Sequence, residues 1–419
     1  MNVELNEARR DVWRREGFTR RQVLAGAGKV AVAALGAQLV TARAGFAQGS
    51  GTGALVVMFL RGGVDGLSVV VPADDPHLQA ARPRIGMPSS VLLPLDRGFG
   101  LHPALAPVHE LWKRGQFTAV PAVSTPDVSR SHFQAQDCLE RGGSSGGAVE
   151  GWLDRVLDAL GPGTGFRAVG MGSTLPRALA GDQAPMTIRT VDEFKLDVGD
   201  EIRPQASQAI AAMYAGIEHP MATDAASTLA GLEVARGLAT AGYQPAAGAT
   251  YPEGDAGSRM RELARLIKAD VGLRVACVDI GGWDMHTNLG TVDGGDMKNQ
   301  LTTLGQLLGA FATDLGDRLN DVTVVAMTEF GRRVEQNASG GTDHGHGATA
   351  LIVGGGLAGN TIHGAWPGLA PEALDQSDVA GANDYRDVLG ELVSHRLGLG
   401  GALGTVFPEH RVTPLGITR

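Results

Sequence analysis

This chain of 419 residues has no basic tract, no internal repeat, only two cysteines and, beyond its N-terminus, no long apolar span. Its net charge is −9, and an acidic protein without clustered Lys and Arg is a poor binder of nucleic acid or anionic membrane. Lacking a downstream run of about 20 apolar residues, the mature chain is expected to be soluble and to have no membrane span. Cys277 lies in the apolar run 273–278 and reads as a small buried residue. The sequence leaves open whether it pairs with Cys138. What is present is 43% apolar residues, enough for a full core.

The N-terminus carries the first positive pattern. Arg20 and Arg21 are followed by Val23 and Leu24, then by a weakly apolar stretch over 23–40 that Lys29 interrupts. Small residues at Gly45 and Ala47 offer a cleavage site. A basic region, an apolar region and small residues are the three parts of a secretory signal, and adjacent arginines select the twin-arginine route. The expectation is a signal peptide over 1–47, recognised by the twin-arginine translocase and a signal peptidase, and a periplasmic or extracellular product. Cleavage after Ala47 leaves 372 residues; losing eight Lys/Arg and four Asp/Glu takes the charge from −9 to −13. That route carries folded proteins, often with a cofactor already bound.

Residues 48–419 read as one α/β domain. Strands are predicted at 54–60, 117–123, 273–280, 322–327 and 348–353, with a further apolar run at 67–71. Helices are predicted at 103–114, 132–141, 258–270, 297–319 and 385–397. Strands alternating with long helices imply a mostly parallel central sheet with helices on both faces. Between 181 and 255 the pattern weakens into an Ala-rich, partly helical stretch, read as an insertion or cap.

Ligands collect at the carboxyl ends of strands in such folds, and polar residues follow four of the predicted strands. Asp65 follows the first, in a glycine-rich loop. Ser124, Ser129, Arg130, Ser131 and His132 follow the second. Asp284 and His286 follow the third; Glu329 and Arg332 follow the fourth. Asp343, His344 and His346 come soon after, between glycines. His344 and His346, two apart in an extended loop, are expected to point the same way, and Asp284 and His286 repeat that spacing. Imidazoles with carboxylates suit a divalent ion, zinc or manganese, with iron as a further option. Ser131 and Gln134 have the spacing of a capping box; a helix start also presents N–H groups to an anion. Ser131 or Ser129 is a candidate nucleophile, and Arg130 and Arg332 are candidates to hold a phosphate or sulfate. Trp112, Trp152 and Trp366 read as packing residues, and His102, His109 and His363 stand apart from the clusters.

The series 60–67, Ser129-Arg130-Ser131-His132-Phe133, Gly281-Gly282-Trp283-Asp284-Met285-His286, Thr328-Glu329-Phe330-Gly331-Arg332, 341–347 and 384–389 resembles the exported bacterial family catalogued as domain of unknown function 1501. That family is in turn similar to the alkaline phosphatase and sulfatase superfamily, an alkaline-phosphatase-like α/β/α fold. The resemblance implies a two-metal site built from Asp65, Ser131 or Ser129, Asp284 with His286, and Asp343 with His344. This chain departs from the pattern in three places. Glu329-Phe330 stands where the superfamily has Asp-His, so either Glu329 or Asp343 takes that ligand place. Asp284 and His286 lie closer together than the usual pair. The stretch 124–128 has Val128 where a sulfatase activation motif has arginine, so formylglycine chemistry is not expected. The leading reading is an exported hydrolase with one or two metal ions, acting on small anionic or polymeric phosphate or related esters. A non-catalytic exported binding protein that keeps the fold is the alternative, and an iron redox protein the third option.

Overall fold

The computed structural model describes residues 53–143, 149–217 and 219–419, so the predicted signal peptide lies outside the described residues. Eight strands form the main sheet: β1 (Ala54–Leu60), β2 (Phe117–Ser124), β3 (Ala168–Met171), β4 (Met186–Ile188), β5 (Val275–Ile280), β6 (Val322–Met327), β7 (Ala348–Gly354) and β8 (Asn383–Asp384). Their order is β8-β2-β7-β6-β1-β5-β3-β4. The main helices are α1 (Ala106–Lys113), α2 (His132–Arg141), α3 (Trp152–Leu160), α4 (Arg203–Tyr214), α5 (Pro220–Ala241), α6 (Asp255–Lys268), α7 (Asp296–Leu315) and α8 (Tyr385–Leu397).

β1 lies at the centre, and all seven of its residues are buried. Alternate side chains leave a strand on opposite faces. Ala54, Val56, Met58 and Leu60 enter one core with residues of α1, α6 and α7; Leu55, Val57 and Phe59 enter a second with residues of α2, α3 and α8. The unbroken apolar run at 54–60 is what a strand covered on both faces requires. The fold is therefore α/β, with a mostly parallel sheet between two helical layers.

Only β7 runs against its neighbours, pairing antiparallel with both β2 and β6. The chain leaves β6 at Met327 and enters β7 at Ala348 with no crossover helix between them. A connection that stays at one edge must return antiparallel. The 328–347 loop is thereby held at the same edge as the loops following β1, β2 and β5.

Two expectations change. The run at 67–71 is not one strand: Gly66–Val69 is a single helical turn, and Val70–Pro72 joins a separate three-stranded sheet with Phe99–Leu101 and Leu93–Pro94. The stretch from 181 contains β4, the edge strand of the main sheet, before α4 and α5 begin. The end of helix α5 attaches at the opposite edge from the four loops, and α4 packs on α5. There the last turn of α6 donates from Arg265 to the Leu238 carbonyl, and Asp314 accepts from Tyr243, Tyr251 and Lys268. Cys138 and Cys277 are both buried and free. Among the described residues no helix is long and apolar enough to cross a membrane.

Candidate metal centre

Four loops converge at the carboxyl edge, and two glycines let them touch. Gly62, at φ +126°, packs so closely on the 283–284 backbone that a Cβ would lie 2.5 Å from the Asp284 nitrogen. A Cβ at Gly341 would lie 2.3 Å from the His286 carbonyl carbon.

Three imidazoles meet there, each with its Nδ1 tied to an acceptor. His132, the first residue of α2, donates from Nδ1 to Glu329 Oε1 at 2.8 Å. His286 donates to Asp343 Oδ1 at 3.0 Å, and His344 to the Arg130 carbonyl at 2.9 Å. A neutral ring that donates from Nδ1 keeps a lone pair on Nε2. Those Nε2 atoms gather on Asp284: Oδ1 lies 3.0 Å from His286 and 3.2 Å from His344, and Oδ2 lies 3.5 Å from His132. The Nε2 atoms of His286 and His344 stand 3.0 Å apart. His132 Nε2 is buried and makes no hydrogen bond at all. Phe330 lies beneath, its ring centroid 4.8 Å from those of both His132 and His344.

The donor set fits a divalent cation. One ligand atom each from His132, Asp284 and His344 lies within 4.8 Å of the others, and His286 adjoins them. Histidines that ligate metals characteristically donate their second ring nitrogen to a carboxylate or carbonyl, as all three rings do here. The orphaned Nε2 of His132 is an acceptor buried at a cost unless a cation or a donor meets it.

The charges agree. Burial works against ionising Asp284, but the hydrogen bond and charge of Arg332, with His344 and His286, pull its pKa down to about 2. Burial also opposes the charge on Glu329. Hydrogen bonds from Gln136, its own backbone, His132 and Thr328 outweigh it and leave the pKa below the ordinary carboxylate value. Both groups are carboxylates at neutral pH.

The residues singled out in the sequence divide into those that meet here and those that do not. Asp284, His286 and His344 meet. Glu329 and Asp343 stand behind the rings as acceptors, Glu329 also taking Gly62 N–H at 3.0 Å and Gln136 at 2.9 Å. Asp65 does not reach the centre. It is buried 17 residues before Arg82 in the chain, and both its oxygens pair with that guanidinium, at 2.5 and 2.9 Å. His346 also lies apart, its Nε2 beside Gly381 and Ser124, because the loop folds back on Gly331, whose carbonyl accepts from Gly345 N–H and whose N–H donates to the His346 carbonyl. Burial lowers the His346 pKa. Arg130 gives Nε and Nη2 to Asp378. Arg332, 2% exposed, gives its donors to Gly62, Gly63 and Thr342 carbonyls and to Asp284. Arg332 has no donor left to clamp an anion, whereas Arg130 keeps Nη1 outside its pair with Asp378. Ser131 is the N-cap of α2, but its hydroxyl makes no capping hydrogen bond, so the capping box with Gln134 is not formed. Exposed Ser129 donates to Asp127 Oδ1 at 2.5 Å. His363 bonds the Ala358 carbonyl, away from the centre.

His132 is the ligand candidate that the sequence reading passed over. It has no second histidine at close spacing, and its place in Ser-Arg-Ser-His-Phe drew attention to the serines. The available signal was position: it opens a helix directly after a buried strand, at the edge where Glu329 also lies.

Glu329→Gln tests the support beneath that ring. The amide presents one acceptor where the carboxylate presents two charged oxygens, so His132 loses a strong anchor. Metal affinity, measured by competition with a chelator, is expected to fall about 10–100-fold.

The loops define an α/β protein with a histidine–aspartate centre at the carboxyl edge of its sheet. The chain belongs to the family described as Protein of unknown function (DUF1501), which matches residues 117–380, a span holding every residue of the centre but not Asp65 or Arg82. None of the curated proteins matches the chain. Among solved structures, the chain is similar to the PsFucS1 sulfatase from Pseudoalteromonas sp. at 11% identity and a TM-score of 0.37, over 96% of this chain and 78% of that one.

Proposed function

We propose that this protein is an exported metal-dependent hydrolase acting on phosphate or related esters. The observation that carries the reading is the set of three Nδ1-anchored rings whose Nε2 atoms face one carboxylate. His132, Asp284, His286 and His344 would hold a zinc or manganese ion. Such an ion, when bound, polarises an ester oxygen as a Lewis acid.

The rest of the chemistry falls to the chain. Helix α2 begins at the centre with His132, and no side chain caps its first N–H groups. A free helix start of this kind binds anionic oxygens, a role that Arg332 cannot take while held by the loop carbonyls. The Ser131 hydroxyl, unused in capping, is the nearest side-chain nucleophile in sequence to the ligand His132. Glu329, Asp343 and the Arg130 carbonyl keep the rings in one tautomer, so that none rotates as the substrate's charge changes. Export through the twin-arginine route agrees with a cofactor acquired before translocation.

Protein purified from the export compartment, without chelators or a metal-binding tag, is expected to carry zinc or manganese by elemental analysis. It is expected to hydrolyse aryl phosphate or sulfate esters, to lose that activity to a chelator and to regain it with the same metal. Bound metal without hydrolysis across an ester panel would leave a metal-stabilised binding protein. No metal at all would end the hydrolase reading.

A further inference from the structure

Counting the carboxylate and imidazole atoms that remain free at the carboxyl edge gives enough for one ion. Asp65 has both oxygens in its pair with Arg82, and Ser68 donates to it as well, at 2.5 Å. Glu329 takes Gly62 N–H, His132 and Gln136 on Oε1 and the Thr328 hydroxyl on Oε2. Asp343 Oδ1 takes His286 and the Asn337 amide, at 3.0 and 3.2 Å. His346 sits beside Gly381. The atoms left are the Nε2 of His132, His286 and His344, the carboxylate of Asp284, whose Oδ1 also accepts from Arg332, and Asp343 Oδ2.

Zinc-type centres use three or four protein ligands per ion. Asp284 and the three nitrogens complete one such set, with His286 and His344 on Oδ1 and His132 on Oδ2. A second ion would find Asp343 Oδ2 as its one unshared donor and would have to share the rest.

A fixed cation also stands at this carboxylate, on the oxygen that His286 and His344 face. Arg332 is buried and cannot be deprotonated. It donates to Asp284 Oδ1 at 2.6 Å, and its Nη1 lies 3.5 Å from His286 Nε2. Its Nε and remaining N–H groups go to the carbonyls of Gly63, Thr342 and Gly62. The guanidinium therefore cannot swing aside, and its charge offsets part of that of Asp284, leaving less negative charge than two divalent ions would need.

We infer that the centre is mononuclear, with Arg332 as a second, permanent positive charge on Asp284. The inference rests on the metal reading above but departs from the two-metal arrangement that the family resemblance implied. It assigns Asp65 to the fold and not to a ligand set.

The test is metal stoichiometry. Chelator-treated protein is titrated with Zn(II) by calorimetry, and with Mn(II) by electron paramagnetic resonance. The expected result is one equivalent, an isolated Mn(II) spectrum without exchange coupling, and the same stoichiometry in Asp65→Asn preparations whose circular dichroism matches the parent. Two equivalents, or a coupled Mn(II) pair, would overturn the single-ion inference and leave the hydrolase reading standing. Loss of the ion in folded Asp65→Asn would overturn the assigned donor set. No binding by the parent would overturn both readings together.

Discussion

Replacing His132 with alanine is expected to empty the centre. Its Nε2 is buried and unpartnered beside Asp284, so it has no role in the fold that a hydrogen bond would reveal. The ring also packs on Phe330 and His344, with centroids 4.8 and 4.5 Å apart. Alanine removes both a donor and that packing. Loss of a supporting hydrogen bond behind a ligand typically costs about 10–100-fold in metal affinity, and loss of the ligand itself is expected to exceed that range. Chelator competition reads the affinity; ester turnover, where present, should fall with it. A His132→Ala protein that kept its metal at parental affinity would reduce His132 to a packing ring. The comparison with Glu329→Gln sharpens the test, since the two changes act on one ligand, from the ring and from behind it, and the ring should matter more.

Much of the frame was legible because it rests on apolar periodicity. The runs at 54–60 and 322–327 match β1 and β6 residue for residue, and the helices at 132–141 and 385–397 match α2 and α8. Long elements with one buried face write themselves plainly. Helix α3 was missed, and among the strands the misses were short. β4 spans three residues with Thr187 only half buried, and β3 spans four with Gly170 among them; neither gives a periodic signal.

The site was legible to a similar depth. Asp284, His286 and His344 stood out as clustered histidines and carboxylates following strands, and they do meet. What spacing could not convey is the partner of each charged group. Asp65 and Arg332 look alike as charged residues in glycine-rich loops. Asp65 is neutralised by a residue 17 positions on, while Arg332 is bound to carbonyls some 270 positions back. His344 and His346 have the two-residue spacing of an extended strand, but backbone bonds between Gly331 and Gly345 and between Gly331 and His346 fold the segment. Long-range pairing of this kind follows from topology, above all from the reversal that makes β7 antiparallel.

Arg82→Met is expected to cause the largest loss of stability. Arg82 and Asp65 are 1% and 2% exposed at their side chains, so removing the guanidinium strands a buried carboxylate. Breaking a buried pair from one side costs roughly 3–5 kcal/mol, a large share of the ~5–15 kcal/mol that holds a domain folded. The damage extends beyond the pair, because Arg82 also donates to the Val334 and Arg333 carbonyls, at 2.8 and 2.9 Å. Those bonds tie the loop after β1 to the residues that follow Arg332, so one side chain braces both the fold and the centre. Denaturant unfolding of the chelator-treated protein reads the intrinsic loss, free of any stabilisation by bound metal. Changing both partners, as Asp65→Leu with Arg82→Met, removes the stranded charge, and replacing a whole buried pair by apolar groups is often close to neutral. The double variant should therefore recover much of the loss, short of the two carbonyl bonds. If Asp65 were a metal ligand instead, the ordering would reverse: Arg82→Met would free the carboxylate for the ion, and added metal would rescue stability in proportion to its concentration. A midpoint that metal does not restore, together with recovery in the double variant, assigns the pair to holding the loop after β1 in place.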